Sequence, residues 1–358
     1  MTRVATADSD YESGEAMQQS DFEQRLISAI QPIRGFFLAQ CVEFAMTSGL
    51  LDRLSESAEA GVDRPAKDLD LHPERLTGLL RYLEGEGIVT DSEGTPAITA
   101  KGREYLAFRP WYELLIGGYG ATLRELPDVM ADRGRFASRN GTMAGLGSCG
   151  MSRHDAVPLV KRMIACLPEA PSALVDLGCG DGTFLLDLCE GGSPGIGVDP
   201  TPGSIEIARR AAAERGMSEQ VGFVNATAED YMARVEAEEA GTPCSVTAFS
   251  LQEVLEQQGS DATVEVVRTA LNHTPGAHLA IVEVDHRPLD PAVTRHGLGN
   301  AYYDPYYFLR QTTEQRLETR AFWEQLIEEA GGHIVESVTT TPEVDSTGLE
   351  LGFLVRGQ

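Results

Sequence analysis

Positive charge is what this chain has least of. Its 358 residues carry 29 Lys and Arg against 55 Asp and Glu, a formal net charge of −26. Holding a nucleic-acid backbone requires clustered cations to neutralise phosphates. Nucleic acid is therefore excluded as a partner, and anionic membrane surfaces with it; the acidity serves solubility. Long apolar runs are missing too. No segment approaches the roughly 18–20 residues of a membrane span, and no signal-peptide pattern opens the sequence, so a cytoplasmic protein is expected. The six cysteines show no Cys-x-x-Cys spacing. They read as reduced core or site residues, which removes a zinc frame or a disulfide scaffold.

What is present divides into pieces. The length suits two domains, and 42% hydrophobic content supplies a sizeable core. Residues 1–20 are polar and acidic and are expected to form a disordered tail. Helical periodicity starts near Phe22 and runs through Phe36, Phe37, Val42, Phe44 and Leu50-Leu51, punctuated by Gly49. Between Arg64 and Leu83 follow a short helix, a turn and a second helix with Pro73 in its first turn. Gly87-Ile88-Val89 and Ala97-Ile98-Thr99 then flank a polar turn at Asp91–Gly94, the pattern of a β-hairpin. Over residues 21–104 this is a winged-helix pattern. A DNA-binding reading fails on charge: the second helix offers Arg75 and Arg81 against Glu74, and the turn carries Asp91 and Glu93. The helix Phe36–Leu51 has more apolar residues than one face needs, so a homodimer through this domain is expected.

Residues 105–168 read as linker helices, around Tyr105–Met130 and Val157–Leu167. Trp111, Tyr112 and Tyr119 fall there. Aromatics at helical spacing serve a core or a pocket; the position between two domains favours a pocket, with Trp111 and Tyr119 as acceptor contacts. The Ser152–Asp155 segment, with His154, reads as a helix start.

Residues 169–358 carry the most specific signal. Ala173-Leu174-Val175-Asp176 is a buried parallel strand ending in an acid, and Leu177-Gly178-Cys179-Gly180-Asp181-Gly182 is a glycine turn opening into an apolar helix. A second acid, Asp199, ends the next strand 21 positions after Gly178 (178 to 199). At that distance a carboxylate grips ribose hydroxyls. A dinucleotide site usually shows G-x-G-x-x-G; here Asp176 and Asp181 would repel a pyrophosphate but suit a cation. The loop resembles the first motif of the class I S-adenosylmethionine methyltransferases. That resemblance implies S-adenosylmethionine as cofactor, on Asp176, Gly178, Cys179, Gly180 and Asp199.

Further strands are expected at Ile196–Val198, Val221–Val224, Val246–Phe249 and His278–Val284, then near Ile334 and at Leu351–Val355. The fold class is α/β, a Rossmann-like doubly wound sheet behind a mostly helical winged-helix domain. From about Phe22 to Val355 this order resembles the small-molecule methyltransferases of plant and bacterial secondary metabolism, in which the winged-helix half dimerises. The family usually places a Gly-Asp-type pair on adenine after the third strand; Asn225 and Ala226 stand there. Ser250, just past the fourth strand, is a further candidate cofactor contact.

The residues beyond that strand, Leu251-Gln252-Glu253, decide the chemistry. The family's O-methyltransferases carry a His-Asp/Glu pair here, the His being the base; an amide cannot replace it. Downstream, Leu309-Arg310-Gln311-Thr312-Thr313-Glu314-Gln315 is similar to a Leu-His-x-x-Thr-x-Gln motif. In the related 2-oxo-acid C-methyltransferases, that His and the first hold an iron. Aligned on Thr313 and Gln315, Arg310 replaces it, so no metal is expected. Glu253, Gln252 and Arg310 become the candidate catalytic residues. Tyr303 and Tyr307, within the block Tyr302, Tyr303, Tyr306, Tyr307 and Phe308, become acceptor contacts. The pattern is similar to indole C3-methyltransferases, which implies a tryptophan-derived acceptor. A 2-oxo acid, a phenol or a non-catalytic S-adenosylmethionine-binding role are the alternatives.

Overall fold

The computed structural model describes residues 20–56, 61–92, 94–234 and 242–357. The expected tail at 1–20 lies outside them apart from Ser20, as does Glu93. The chain falls into two compact units, residues 1–104 and 105–358.

In the first unit, α1 spans Asp21–Thr47, and the Ser20 side chain accepts the Glu23 N–H at its start. Gly49, at φ 77°, turns the chain into α2, Leu50–Glu56. The left-handed backbone there is cheap only for glycine. After α3, Asp63–Asp68, comes α4, Pro73–Gly85, opening on Pro73, whose missing N–H is no loss in a first turn. Strands β1, Val89–Ser92, and β2, Thr95–Ile98, pair antiparallel from Val89 opposite Ile98 to Ser92 opposite Thr95. The strands thus extend through Asp91 and Ser92, which the sequence assigns to the turn. Their side chains are exposed on a two-stranded ribbon, where polar residues cost little.

The second unit is built on seven strands: β3 Leu174–Leu177, β4 Gly195–Asp199, β5 Val221–Asn225, β6 Cys244–Ala248, β7 His278–Val284, β8 Gly332–Thr339 and β9 Glu350–Gly357. Their order is β5-β4-β3-β6-β7-β9-β8. The first five are parallel and β9 is antiparallel to both neighbours. Side chains alternate between two cores. Leu174 of β3 and Ala280 and Val282 of β7 join Leu159, Met163, Phe184 and Leu185 on one face. Val175 and Leu177, with Leu279 and Ile281, join Val267, Leu271, Trp323 and Phe353 on the other. β3 and β7 are covered on both faces and read as near-continuous apolar runs, whereas the edge strand β8 alternates half-buried and exposed residues. Strand order reverses between β3 and β6, and the crevice beyond the carboxyl ends of two such strands is where α/β sheets take ligands.

The expected linker region is more broken than its periodicity suggests. Arg109–Tyr112 is α-helical, Glu113–Gly118 widens to a π-helix, and Thr122–Glu125 is 3-10 before Leu126–Ala131. The expected helix at Val157–Leu167 is Ala156–Ala165, capped by Asp155. A helix that the sequence does not announce spans Gly141–Ser152. No helix among the described residues is long and apolar enough to cross a membrane.

Candidate active site

At the reversal point, the loops after β3 and β6 are tied together. Ser250 Oγ donates to the Leu177 carbonyl at 3.1 Å. Gly178, at φ +95°, lies so close that a Cβ there would sit 3.0 Å from Ser250 Cβ. The next carboxyl end holds Asp199, whose two oxygens accept the N–H groups of Gly180 at 3.1 Å and Thr201 at 2.8 Å. Asn225 Nδ2 donates to the Asp199 carbonyl at 2.9 Å, and the Ala226 N–H to the same oxygen at 3.2 Å. The tips of β3, β4 and β5 are therefore one continuous edge.

This edge is electrostatically unfinished. Burial, then Asp199 and Asp181, pushes the Asp176 carboxyl up to about 7. A buried acid with two acidic neighbours destabilises its own charge. The ammonium and sulfonium of S-adenosylmethionine would answer that deficit, and the spare lone pairs of Asp199 can accept ribose hydroxyls. Of the expected cofactor residues, Cys179 is buried and belongs to the same sheet-core cluster as Phe223.

Beyond the β6 end lies a cavity of about 220 Å³, whose lining includes Gly178, Ser250, Gln252, Glu253, Tyr119 and Arg310. Phe249, at φ 57°, makes the strand-to-helix turn into Leu251–Gln258. A left-handed bulky residue is strained, a feature that concentrates at functional sites. Gln252, near the start of that helix, is buried, and its backbone N–H donates to Glu283 Oε1 at 3.2 Å. Glu283 is fully buried, and burial pushes it up to about 8.

Arg310 is carried in by the helix Asp304–Thr312 and is buried. With its amide oxygen turned to the guanidinium, so that no donor faces a donor, Gln252 accepts from both Nη atoms at 2.7 and 2.8 Å. Turned likewise, Gln315 accepts from Arg310 at 2.9 Å and from Arg139, while its NH₂ donates to the Tyr119 hydroxyl. Arg310 also donates to the Tyr306 hydroxyl, sits 4.8 Å over that ring and pairs with Glu256 at 3.4 Å. Burial opposes its charge, but Tyr306, Tyr119 and Glu256 outweigh burial. Arg139 stands 4.0 Å from Glu253, whose side chain is 53% exposed. Two guanidiniums and one accessible carboxylate thus meet beside the glycine-loop edge.

The expected acceptor contacts divide. Tyr119 and Tyr303 line the cavity, although the Tyr303 hydroxyl is spent on Asp345 at 2.6 Å. Tyr307 does not line it: its hydroxyl donates to the Asp285 carbonyl and its ring packs on His286. Trp111 packs against Phe108 and His154 instead. The lining also includes Tyr302 of the aromatic block, together with Arg139, Ser148, Cys149, Asp155 and Glu350, which the sequence does not single out for the site. Among the described residues no group of three or more His, Cys, Asp or Glu could hold a metal ion.

Comparison with known proteins agrees with this architecture. Residues 174–274 match the methyltransferase domain family. The 2-ketoarginine methyltransferase of Streptomyces arginensis is 48% identical over 339 residues, covering 93% of this chain and 96% of the relative. The structure of the mitomycin 7-O-methyltransferase superposes with a TM-score of 0.61 at 15% identity, over 94% of this chain and 98% of that one. A methyltransferase of calicheamicin biosynthesis, solved with S-adenosylhomocysteine bound, gives 0.57 at 16%, over 95% and 100%. At such identities these structures share the fold. With a near full-length relative at 48% identity and the glycine-loop edge in place, the chain belongs to the class I S-adenosylmethionine-dependent methyltransferases.

Proposed function

We propose that this enzyme methylates C3 of a 2-oxo acid. The observation that carries the reading is the buried Arg310 guanidinium facing Gln252, with Arg139 in the same cavity wall. Paired guanidiniums suit a carboxylate and an adjacent oxygen that gains charge; a neutral indole has no use for them. The relative from Streptomyces arginensis, named for a 2-oxo acid, supports the same choice.

Asp176, the Gly178–Gly180 backbone, Asp199, Asn225, Ala226 and Ser250 hold S-adenosylmethionine, which supplies an electrophilic methyl group when bound. Arg310, Gln252 and Arg139 hold the acceptor's carboxylate and oxo oxygen. Glu253 takes a proton from C3, and the C–H electron pair moves into the enolate whose oxygen Arg310 stabilises. That pair then forms the C3–CH₃ bond as the S–CH₃ bond breaks. Stabilisation that the related enzymes draw from iron comes here from guanidinium charge, so the reaction is metal-independent. Along α1, Phe22, Ile33 and Phe37 are 73%, 55% and 57% exposed. This apolar stripe is the face of a homodimer.

Incubation with S-adenosylmethionine and either aliphatic 2-oxo acids, indolepyruvate or tryptophan cyclodipeptides tests the reading by product mass and NMR. The expected product is a 3-methyl-2-oxo acid. Methylation of the indole ring alone overturns the reading in favour of the indole acceptor expected from the sequence.

A further inference from the structure

The Arg310 guanidinium is held at several points by the chain itself. Gln252 and Glu256 lie one turn apart on the helix Leu251–Gln258, and both accept from its Nη atoms, Gln252 at 2.7 and 2.8 Å and Glu256 at 3.4 Å. Glu256 is anchored in turn, its Oε1 also accepting the Arg316 N–H at 2.6 Å. On its own helix Arg310 reaches the Tyr306 hydroxyl one turn earlier, and beyond that helix the Gln315 oxygen at 2.9 Å. Behind Gln252, its backbone N–H is taken by fully buried Glu283.

None of these partners belongs to the edge made by Asp176, Gly178–Gly180, Asp199, Asn225 and Ala226. The turn that joins edge and network is pinned by the chain as well, through Ser250 Oγ on the Leu177 carbonyl. A preorganised cation needs no rearrangement when charge develops on an oxygen beside it. Lowering the cost of an enolate is therefore a property of the Arg310 network alone. Glu253 does not share the burial of that network: its side chain is 53% exposed, whereas Gln252 beside it is 2% exposed. A carboxylate so placed trades its proton with water quickly. Cation, base and solvent contact for the base all come from residues other than those that hold the cofactor.

We propose that this enzyme has a second activity, enolisation of its 2-oxo acid without a methyl donor, which exchanges the C3 hydrogens with water. This rests on the 2-oxo-acid reading of the Arg310 end. The C3–H pair becomes the C2–C3 π bond, the proton passes to Glu253, and the carbonyl π pair moves onto the oxygen that faces Arg310. With no methyl group to attack, the enolate takes a proton back at C3 from Glu253. In D₂O that proton has already been replaced by a deuteron. No oxidant, reductant or second substrate enters the balance.

The test follows the C3 hydrogens by NMR in buffered D₂O with the intact enzyme and no S-adenosylmethionine. A second arm adds saturating S-adenosylhomocysteine, which has no methyl group to give. The probe is the aliphatic 2-oxo acid methylated fastest in the product assay, or 2-oxohexanoate where none is methylated. The C3 signal should disappear in proportion to enzyme concentration in both arms. Glu253→Gln should slow the loss about 100- to 10,000-fold, and calorimetry should find its S-adenosylmethionine affinity near that of the wild type, which shows the fold intact. Methylation at C3 without exchange above the enzyme-free rate overturns the second activity and leaves the 2-oxo-acid reading standing. Exchange that needs S-adenosylhomocysteine, or that persists in Glu253→Gln, also overturns it. If no acid is methylated, the 2-oxo-acid methylation reading falls, and exchange of 2-oxohexanoate alone decides the second activity: exchange lost in Glu253→Gln sustains it, and no exchange overturns it.

Discussion

Gln252 and Arg310 stand 58 positions apart in sequence (252 to 310), yet the Gln252 oxygen accepts from both Arg310 Nη atoms at 2.7 and 2.8 Å. Where the related enzymes put two imidazoles on a metal, this pair makes a single hydrogen-bonded cation. Several consequences can be measured.

Removing the carboxylate of Asp199 should weaken S-adenosylmethionine binding about 10- to 100-fold, the worth of charge-assisted hydrogen bonds to two hydroxyls. Calorimetry on folded Asp199→Ala checks this, and unchanged affinity would remove Asp199 from the cofactor site.

Glu253→Gln keeps the shape and an acceptor oxygen but loses the charge. Turnover should fall about 100- to 10,000-fold, the usual range for a general base, while S-adenosylmethionine binding stays near normal. If single-turnover rates barely change, proximity alone drives the transfer and Glu253 is scaffold.

Activity should survive excess EDTA, because Gln252 and Arg310 leave no ligand pair for iron. Turnover abolished by the chelator and restored by ferrous ion would return the protein to the metal-dependent group.

Stability should fall as pH rises from about 7.5 to 8.5 in the absence of ligands. Asp155 and Asp176 are held at about 7 and Glu283 at about 8, in each case first by burial. Raised above their unfolded values of roughly 4, these groups bind more protons folded than unfolded, so their contribution is lost as pH climbs through that interval. Asp187 acts oppositely: despite burial, Arg153 and Arg215 hold it low. Its contribution disappears only at acid pH, outside the window. Burial holds the imidazoles of His273, His278 and His286 below their usual 6.5, an opposing contribution that is complete by about pH 7.5. Melting temperatures of the unliganded protein between about pH 7.5 and 8.5 should therefore decline, and S-adenosylmethionine should flatten the decline by pairing Asp176. A rising curve would contradict the assignment.

Light scattering at micromolar concentration should report a dimer. Charged substitutions at Ile33 and Phe37 should yield a folded monomer, whereas a wild-type monomer would count against the α1 interface.

The sequence by itself determined the sheet and the acid-and-glycine turn at the end of β3. A strand buried on both faces is mostly apolar, so β3 and β7 show as runs, and an acid in such a run before a glycine turn is written in consecutive residues, as in Asp176 to Gly182. The loss of both imidazoles was equally legible, since Gln252 and Arg310 each sit in a local motif. Only tertiary structure decided the acceptor cavity. The helix Gly141–Ser152 contains Gly141, Gly145, Gly147 and Gly150, so its propensity argues against a helix; packing alone makes it one, and it lines the cavity with Ser148 and Cys149. Tyr307 and Trp111 read like pocket aromatics, but a hydroxyl bond to the Asp285 carbonyl and ring contacts with Phe108 and His154 claim them elsewhere. Asp155 and Glu350 read as a helix cap and a strand start, 195 positions apart (155 to 350). Their mutual repulsion exists only because the fold carries both into one cavity wall. Local pattern fixes what a segment becomes, while a charge without a partner is a property of neighbours that sequence order does not record.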